Sequence, residues 1–159
     1  MSQKITYPFP AGREGVFKAL IQQIIAGGGT LIFPTETFYA LGGSARDETV
    51  VAKIFRLKGR RRNVPFPLLI DSPERLTDLA ASVPPAAAAL TAKFWPGPLT
   101  LVFTARPGLP AGTVSTEGKV ALRVSSHPLL RELAAELTVP LIATSANRHG
   151  EPAAADLEE

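Results

Sequence analysis

The stretch from residue 16 to residue 34, VFKALIQQIIAGGGTLIFP, sets out an arrangement that recurs along this chain. Apolar side chains at helical spacing over residues 16–25 predict a helix. Glycines at 27–29 end that helix, and the apolar run at 31–33 predicts a short buried strand before Pro34. Helices that alternate with strands are typical of α/β or α+β domains, in which the helices pack on a sheet.

The rest of the chain continues this alternation. Residues 42–44, Gly-Gly-Ser, predict a turn, and Asp47 predicts the N-cap of a second helix that ends at Gly59. Pro73 at a first helical position predicts a helix to about Ala81. The same patterns predict further helices at 85–94 and 128–137, and further strands at 67–70, 99–104, 119–124 and 141–144.

Composition excludes several classes of protein. With 45% apolar and 19% charged residues, 159 residues are enough for one packed domain and do not indicate a disordered chain. The absence of cysteine excludes disulfides, thiol nucleophiles and thiolate metal sites, and His127 and His149 are too few to suggest a metal centre. No apolar run is long enough to span a bilayer, so we expect a soluble, cytoplasmic protein without a membrane partner.

Positive charge is concentrated in residues 53–62, which contain six of the 17 basic residues and no acid. Residues 1–150 carry a net charge of +7, because four of the 14 acids lie beyond them and no base does. The positive charges of Lys53 and Arg56 interact favourably with the dipole of the second helix, and this explains them without a ligand. The four cations at 58–62 repel one another unless an anion lies between them, which favours nucleotide phosphates or nucleic acid as a partner.

Polar residues follow three of the predicted strands, at 35–37 (Thr-Glu-Thr), 125–126 (Ser-Ser) and 145–147 (Ser-Ala-Asn). Loops beyond strand ends collect ligand groups in open α/β sheets, so these segments are expected to converge on one crevice. The alternative is that each closes a turn or caps a helix, with Ser126 as a capping candidate. Neither a phosphate-binding GxxxxGK[ST] loop nor a GxSxG elbow is present. The remaining polar groups suit the binding of anions and the electrostatic catalysis of phosphoryl or nucleotidyl transfer.

Several distinctive motifs follow one another along the chain. In chain order they are FPTETFYALG at 33–42, KGR at 58–60, FWPGPLT at 94–100, LRV at 122–124 with HP at 127–128, and TSAN at 144–147. Taken together, these motifs closely resemble those of the YrdC-like family. The resemblance implies a single domain at residues 12–152 that contains a twisted, mixed parallel and antiparallel sheet flanked by helices around a positive cavity. Residues 153–159 would then form an acidic tail.

Family members that stand alone are typically L-threonylcarbamoyladenylate synthases, which join L-threonine, bicarbonate or CO2, and ATP into threonylcarbamoyl-AMP with release of pyrophosphate. A tRNA-modifying transferase then consumes that product. By resemblance, Lys58 and Arg60 are the catalytic cations that neutralise the ATP phosphates, and Mg²⁺ is expected with ATP but without a metal site on the protein. The resemblance also assigns Arg62, Thr100, Ser125 and Asn147 to ATP, and Thr35, Arg123 and Ser145 to threonine.

This chain departs from the family pattern in a few places. It has Ala40 where the family usually has glycine, Arg61 in place of proline, and His149 in place of a small hydroxyl residue. It also ends at Glu159, before the family's Pro-Ser-Thr stretch and its late Arg-x-Gly, so we expect the 159-residue chain to bind ligand more readily than it turns over. Two alternatives stay open: a non-catalytic protein of this fold that binds double-stranded RNA or tRNA directly, and a carbamoyl-adenylate enzyme with another acceptor.

Overall fold

The helices and strands alternate along the chain in a computed structural model that describes residues 11–60 and 64–154. A single 3-10 turn, Pro73–Arg75, leads into the third helix. The helices are α1 Glu14–Ala26, α2 Glu48–Lys58, α3 Leu76–Leu79, α4 Pro85–Phe94 and α5 Pro128–Leu137. The strands are β1 Thr30–Pro34, β2 Tyr39–Ser44, β3 Leu68–Leu69, β4 Leu101–Thr104, β5 Lys119–Arg123 and β6 Leu141–Ser145.

The six strands form one sheet in the order β1-β2-β6-β3-β5-β4. The β3–β5 pair is parallel, and the other pairs between these strands are antiparallel. This arrangement confirms the prediction of a mixed sheet in a single domain. Within residues 11–60 and 64–154, no helix is long and apolar enough to cross a membrane.

The sheet lies between two apolar cores. On one face α1 and α5 pack with Phe33, Leu69 and Leu141, and on the other α2 and the segment around α3 pack with Leu68 and Ile142. Neighbouring residues of β3 and of β6 therefore contribute to opposite cores, as the alternation of side chains along a strand requires. The candidate site lies on the α1 and α5 face, where several strands present polar residues next to this packing.

The prediction of a turn at residues 42–44 is wrong, because these residues form the second half of β2. Gly42 is required there by close packing. A Cβ on it would overlap the carbonyl oxygen of Ile142 and lie 2.7 Å from the ring of Phe33. In β2 this glycine allows β6 and an aromatic ring to approach the backbone closely. A sequence pattern does not distinguish such a glycine from one that forms a turn.

The helix predicted to reach Ala81 is also shorter than expected, since α3 ends at Leu79. Ala80 forms an isolated bridge with Ala105, and the N–H of Ala81 donates to the carbonyl of Thr104. Backbone pairing with the last residue of β4 and the residue after it thus replaces the last helical turn. The prediction for α2 is confirmed at both ends: the Asp47 carboxylate accepts from the N–H of Val50 and of the residue before it, and Gly59 adopts φ +61°.

Candidate functional site

A cavity of about 120 Å³ lies between the β1–β2 turn and the face of the sheet. In the sheet, three strands (β2, β6 and β3) separate β1 from β5. The turn, residues 35–38, nevertheless contacts the end of β5 through Glu36. The three polar segments that were expected to share one crevice all contribute to it, which confirms that expectation. Among the lining residues are Thr35, Glu36, Thr100, Arg123, Ser125 and Ser145.

Glu36 connects the turn to the end of β5. Its Oε2 accepts a hydrogen bond from Ser125 Oγ at 2.6 Å, and its Oε1 accepts one from the N–H of Ser126 at 3.3 Å. The guanidinium of Arg123 forms an ion pair with the same carboxylate. Burial alone would raise the pKa of Glu36, but the hydrogen bonds from Ser125 and Arg123, with backbone N–H groups, lower it to about 2. Glu36 is therefore ionised at neutral pH and is a poor general base there.

This lowered pKa makes the free energy of unfolding depend on pH. A carboxylate with a folded pKa of about 2 and an ordinary value of 4.5 stabilises the folded chain above pH 4.5, and the stabilisation is lost as the pH falls towards 2. We expect the stability advantage of the wild type over Glu36→Gln to shrink by about 1 kcal/mol between about pH 5 and pH 3, allowing for solvent screening. Urea unfolding at both pH values measures this, with the exposed Glu117→Gln as control. An advantage that stays constant with pH would contradict it.

Arg123 is held from two sides. Its Nε donates to the carbonyl of Gly97 at 3.0 Å, and the N–H of Gly97 donates to the carbonyl of Val124 at 2.8 Å. The neighbouring Trp95 is buried, and its indole N–H donates to the carbonyl of Leu99 at 2.6 Å. The motif at 94–100 thus fixes the arginine as well as contributing Thr100 to the cavity wall. Arg123 is not a surface ion-pair residue, because its side chain is only 17% exposed.

Lys58 contacts the end of β6 and the residues that follow it. Its Nζ donates to the carbonyl of Ser145 at 2.5 Å and to Oδ1 of Asn147 at 2.6 Å, with Ser145 Oγ at 3.3 Å. The lysine is only 3% exposed, and burial followed by the charge of Arg60 lowers its pKa. It does not line the cavity itself but is joined to it through Ser145. A phosphate bound at Lys58 would replace hydrogen bonds that Ser145 and Asn147 now accept from the lysine.

The other predicted cations lie near Lys58. The guanidinium carbon of Arg60 lies 5.4 Å from the centre of the Phe66 ring, and burial lowers the pKa of this arginine. Within the described part of the chain, the buried Nε of Arg60 has no hydrogen-bond partner. Arg62 and Arg61 lie outside the described residues. The structure therefore brings one predicted cation pair, Lys58 and Arg60, to the end of α2.

Thr35 and Ser125 line the cavity but also have local structural roles. The Thr35 hydroxyl donates to the carbonyl of Phe38 at 2.7 Å and accepts from the N–H of Thr37 at 3.1 Å, so it closes the β1–β2 turn. Ser125 Oγ accepts from the N–H of His127 at 3.1 Å before α5. Ser125, rather than the predicted Ser126, thus satisfies a backbone donor at the start of this helix.

Sequence reasoning missed the central position of Glu36 and underestimated the segment after Asn147. Asn147 Nδ2 donates to the carbonyl of Glu151, and the N–H of Tyr39 donates to the carbonyl of Ala154 at 3.0 Å. Residues 151–154 thus return to the cavity, while most of the predicted tail at 153–159 lies outside the described residues. One feature of the sequence pointed to Glu36: it is the acidic residue nearest to the predicted site.

A second cavity, of about 370 Å³, is larger but lies elsewhere, between α1, α5 and the start of α2. Its polar groups come from Gln22, Ser44, Arg46, Asp47 and Glu136, and none of the predicted site residues lines it. Asp47 is already engaged in capping α2, and Glu136 binds Lys18 at 2.8 Å. The smaller cavity is therefore the candidate site, since it collects the polar groups that lack a purely structural explanation.

The mixed sheet and its polar cavity define a domain of the Sua5/YciO/YrdC type. A family model of that name, described as "Telomere recombination", matches residues 23–159, and the chain belongs to this family. It is 40% identical over 125 residues to the threonylcarbamoyl-AMP synthase of Pyrococcus abyssi, which covers 79% of this chain and 37% of that protein. The threonylcarbamoyl-AMP synthase of Dichelobacter nodosus is 34% identical over 156 residues, covering 96% of this chain and 79% of that protein.

Solved structures agree with the family assignment. The crystal structure of Pyrococcus abyssi Sua5 complexed with L-threonine superimposes with a TM-score of 0.84 at 37% identity, covering 89% of this chain and 42% of that chain. Escherichia coli YciO superimposes with a TM-score of 0.82 at 24% identity, covering 95% of this chain and 73% of that chain, which shows the shared fold. The chain thus spans well under half of the Pyrococcus abyssi protein that it matches.

Proposed function

We propose that this chain forms the synthase domain that converts L-threonine, bicarbonate or CO2, and ATP into threonylcarbamoyl-AMP and pyrophosphate, for use by a tRNA-modifying transferase in the cytoplasm. The observation that carries the proposal is the position of the Glu36–Arg123 pair in a small cavity that shares Ser145 with the buried Lys58. The threonine complex of Pyrococcus abyssi Sua5 and the names of the curated relatives support the same choice of substrates.

The size of the cavity favours an amino acid over a nucleotide. About 120 Å³ corresponds to roughly four water molecules at ~30 Å³ each, whereas sites for larger ligands usually enclose ~300–1,000 Å³. L-Threonine would therefore occupy the cavity, with Arg123, Thr35 and Ser145 around it. ATP would lie beyond Ser145, with its phosphates towards Lys58 and Arg60 and with Thr100, Ser125, Asn147 and Arg62 as further contacts.

In the proposed reaction the ammonium group of threonine first loses a proton to solvent. The neutral amine then bonds to the carbon of CO2 with release of a second proton, or to the carbon of bicarbonate with loss of water. A carbamate oxygen then attacks the α-phosphorus of ATP, the bond to the β-phosphate oxygen breaks, and pyrophosphate leaves. Lys58 and Arg60 would neutralise charge on the departing phosphates, which is the largest contribution that fixed cations make to such a transfer. No carboxylate base is required at Glu36, whose low pKa makes it an acceptor rather than a base.

Mg²⁺ would enter with ATP as its usual counter-ion. Over the described residues, no group of three or more His, Cys, Asp or Glu side chains could hold a metal ion. A protein cage for the ion does not fit these residues, so the proposal assigns no step to a protein-bound metal. The RNA-binding alternative would use the basic surface of residues 53–62, of which 61 and 62 lie outside the described residues.

The direct test is pyrophosphate release from ATP by the 159-residue chain, assayed with and without L-threonine, together with calorimetric titration of each ligand. We expect L-threonine and ATP to bind and pyrophosphate release to require L-threonine and bicarbonate. Release that is independent of L-threonine would indicate another acceptor. Binding of tRNA by a chain that binds neither small ligand would instead support the RNA-binding alternative.

A further inference from the structure

The charged groups that line the cavity in the described part of the chain are one acid and one base, Glu36 and Arg123, and they form an ion pair. Their side chains are 16% and 17% exposed, so both reach the cavity surface while most of each is buried. The pair presents adjacent negative and positive edges with no net charge. Such a surface is complementary to a ligand that itself carries both charges, and it is poorly suited to a simple anion.

The contacts of Arg123 leave it able to bind an anion without releasing Glu36. A guanidinium has five N–H donors, and the contacts with Gly97 and Glu36 engage two of its three nitrogens. Arg123 is also fixed in direction by these two partners. The third nitrogen, Nη1, is therefore the donor that remains for a bound carboxylate beside the carboxylate of Glu36.

One guanidinium, that of Arg123, would then face two carboxylates and offset their mutual repulsion only in part. The ammonium group of an α-amino acid is attached next to its carboxylate and supplies a second positive charge. A ligand with the carboxylate alone would gain the contact with Arg123 but would bring no charge to offset the repulsion from Glu36. Both ligands could contact Arg123, but only the amino acid presents a positive group to Glu36. Glu36 thus distinguishes the amino acid from a carboxylate without an amino group.

We propose that Glu36 determines specificity for a free α-amino acid, by accepting the ammonium group of the ligand while it positions Arg123 for the ligand carboxylate. This inference rests on the proposed function, because it concerns the amino-acid substrate of the same cavity. It adds that the site selects against carboxylates without an amino group, and it assigns that selection to a residue whose side chain touches the ligand.

The test compares L-threonine with 3-hydroxybutyrate, which keeps the carboxylate and hydroxyl of threonine but lacks the amino group. Calorimetry on the full 159-residue chain, with and without a non-hydrolysable ATP analogue, gives the ratio of the two dissociation constants. We expect wild type to prefer L-threonine by about 10- to 100-fold, as for one charge-assisted contact. In Glu36→Gln this ratio should fall to within about threefold of unity, partly because 3-hydroxybutyrate binds more tightly.

Two variants keep the result interpretable. Glu36→Asp retains the charge and should keep a clear preference for L-threonine, whereas Glu117→Gln removes an exposed acid outside the cavity and should leave the ratio unchanged. If Glu36 only supported the fold, Glu36→Gln would weaken both ligands equally and the ratio would persist, which would overturn this inference while L-threonine binding upheld the proposed function. A wild-type chain that does not bind L-threonine under either condition would overturn both.

Discussion

Replacement of Arg123 by alanine is expected to lower the free energy of unfolding by about 3 kcal/mol, since removal of one partner of a buried ion pair leaves an uncompensated charge. Glu36 would keep its hydrogen bonds from Ser125 and Ser126 but lose the positive charge beside it. The carbonyl of Gly97 would also lose its donor from the Arg123 side chain. Urea unfolding at pH 7 with linear extrapolation measures the change.

A double variant separates the charge from the packing of the side chain. Arg123→Ala combined with Glu36→Gln should be more stable than Arg123→Ala alone, because the unpaired carboxylate is then absent. Arg131→Ala, which removes an exposed arginine from α5, is the matched control and should change stability by no more than about 0.5 kcal/mol. If the double variant were as unstable as the sum of the two single variants, the proposed coupling between the two charges would be wrong.

Replacement of Lys58 by alanine is expected to weaken ATP binding by about 10- to 100-fold, the effect of losing a charge-assisted contact with phosphate. Lys58 is the buried cation at the junction of α2 with residues 145–147, and it also orders Ser145 and Asn147. Calorimetric titration of ATP measures the loss. L-Threonine affinity should change less, because Lys58 does not line the cavity.

Arg56→Ala is the matched control for Lys58→Ala, since Arg56 is an exposed cation in the last turn of the same helix. It should leave ATP affinity within about threefold of wild type, apart from the general loss of one surface charge. Thermal unfolding of both variants separates loss of binding from loss of folded protein. Wild-type affinity for ATP in a folded Lys58→Ala chain would show that the phosphates do not bind at the end of α2.

Elements with a strong local signal were predicted closely. Apolar spacing and capping residues define α2 and α5, and the structure has α5 at Pro128–Leu137, as expected. The resemblance of ordered motifs indicated the family, which the family model and the curated relatives confirm. Local patterns were insufficient at residues 42–44 and at 80–81, where pairing with a distant strand decided the backbone conformation.

The roles of the site residues remain predictions, but the structure shows which of them meet. Thr35, Thr100, Arg123, Ser125 and Ser145 share one cavity. Lys58 is joined to Ser145 and Asn147, whereas Arg62 lies outside the described residues. The structure therefore separates the residues that line the cavity from the cations at the end of α2, a division that was not evident in the sequence.

The sequence by itself determined most of the helices and strands of this protein, though not residues 42–44 and 80–81, and the polar segments that follow its strands, because spacing, caps and chain breaks act over a few neighbouring residues. Only the tertiary structure decided that Glu36 faces Ser125 across 89 positions and that Lys58 faces Ser145 across 87. Those contacts depend on the order of strands in the sheet and on the path of the β1–β2 turn over its face. These surroundings make Glu36 part of an ion pair and Lys58 a hydrogen-bonded cation, and the pKa values of both are lowered in a way that no local pattern predicts.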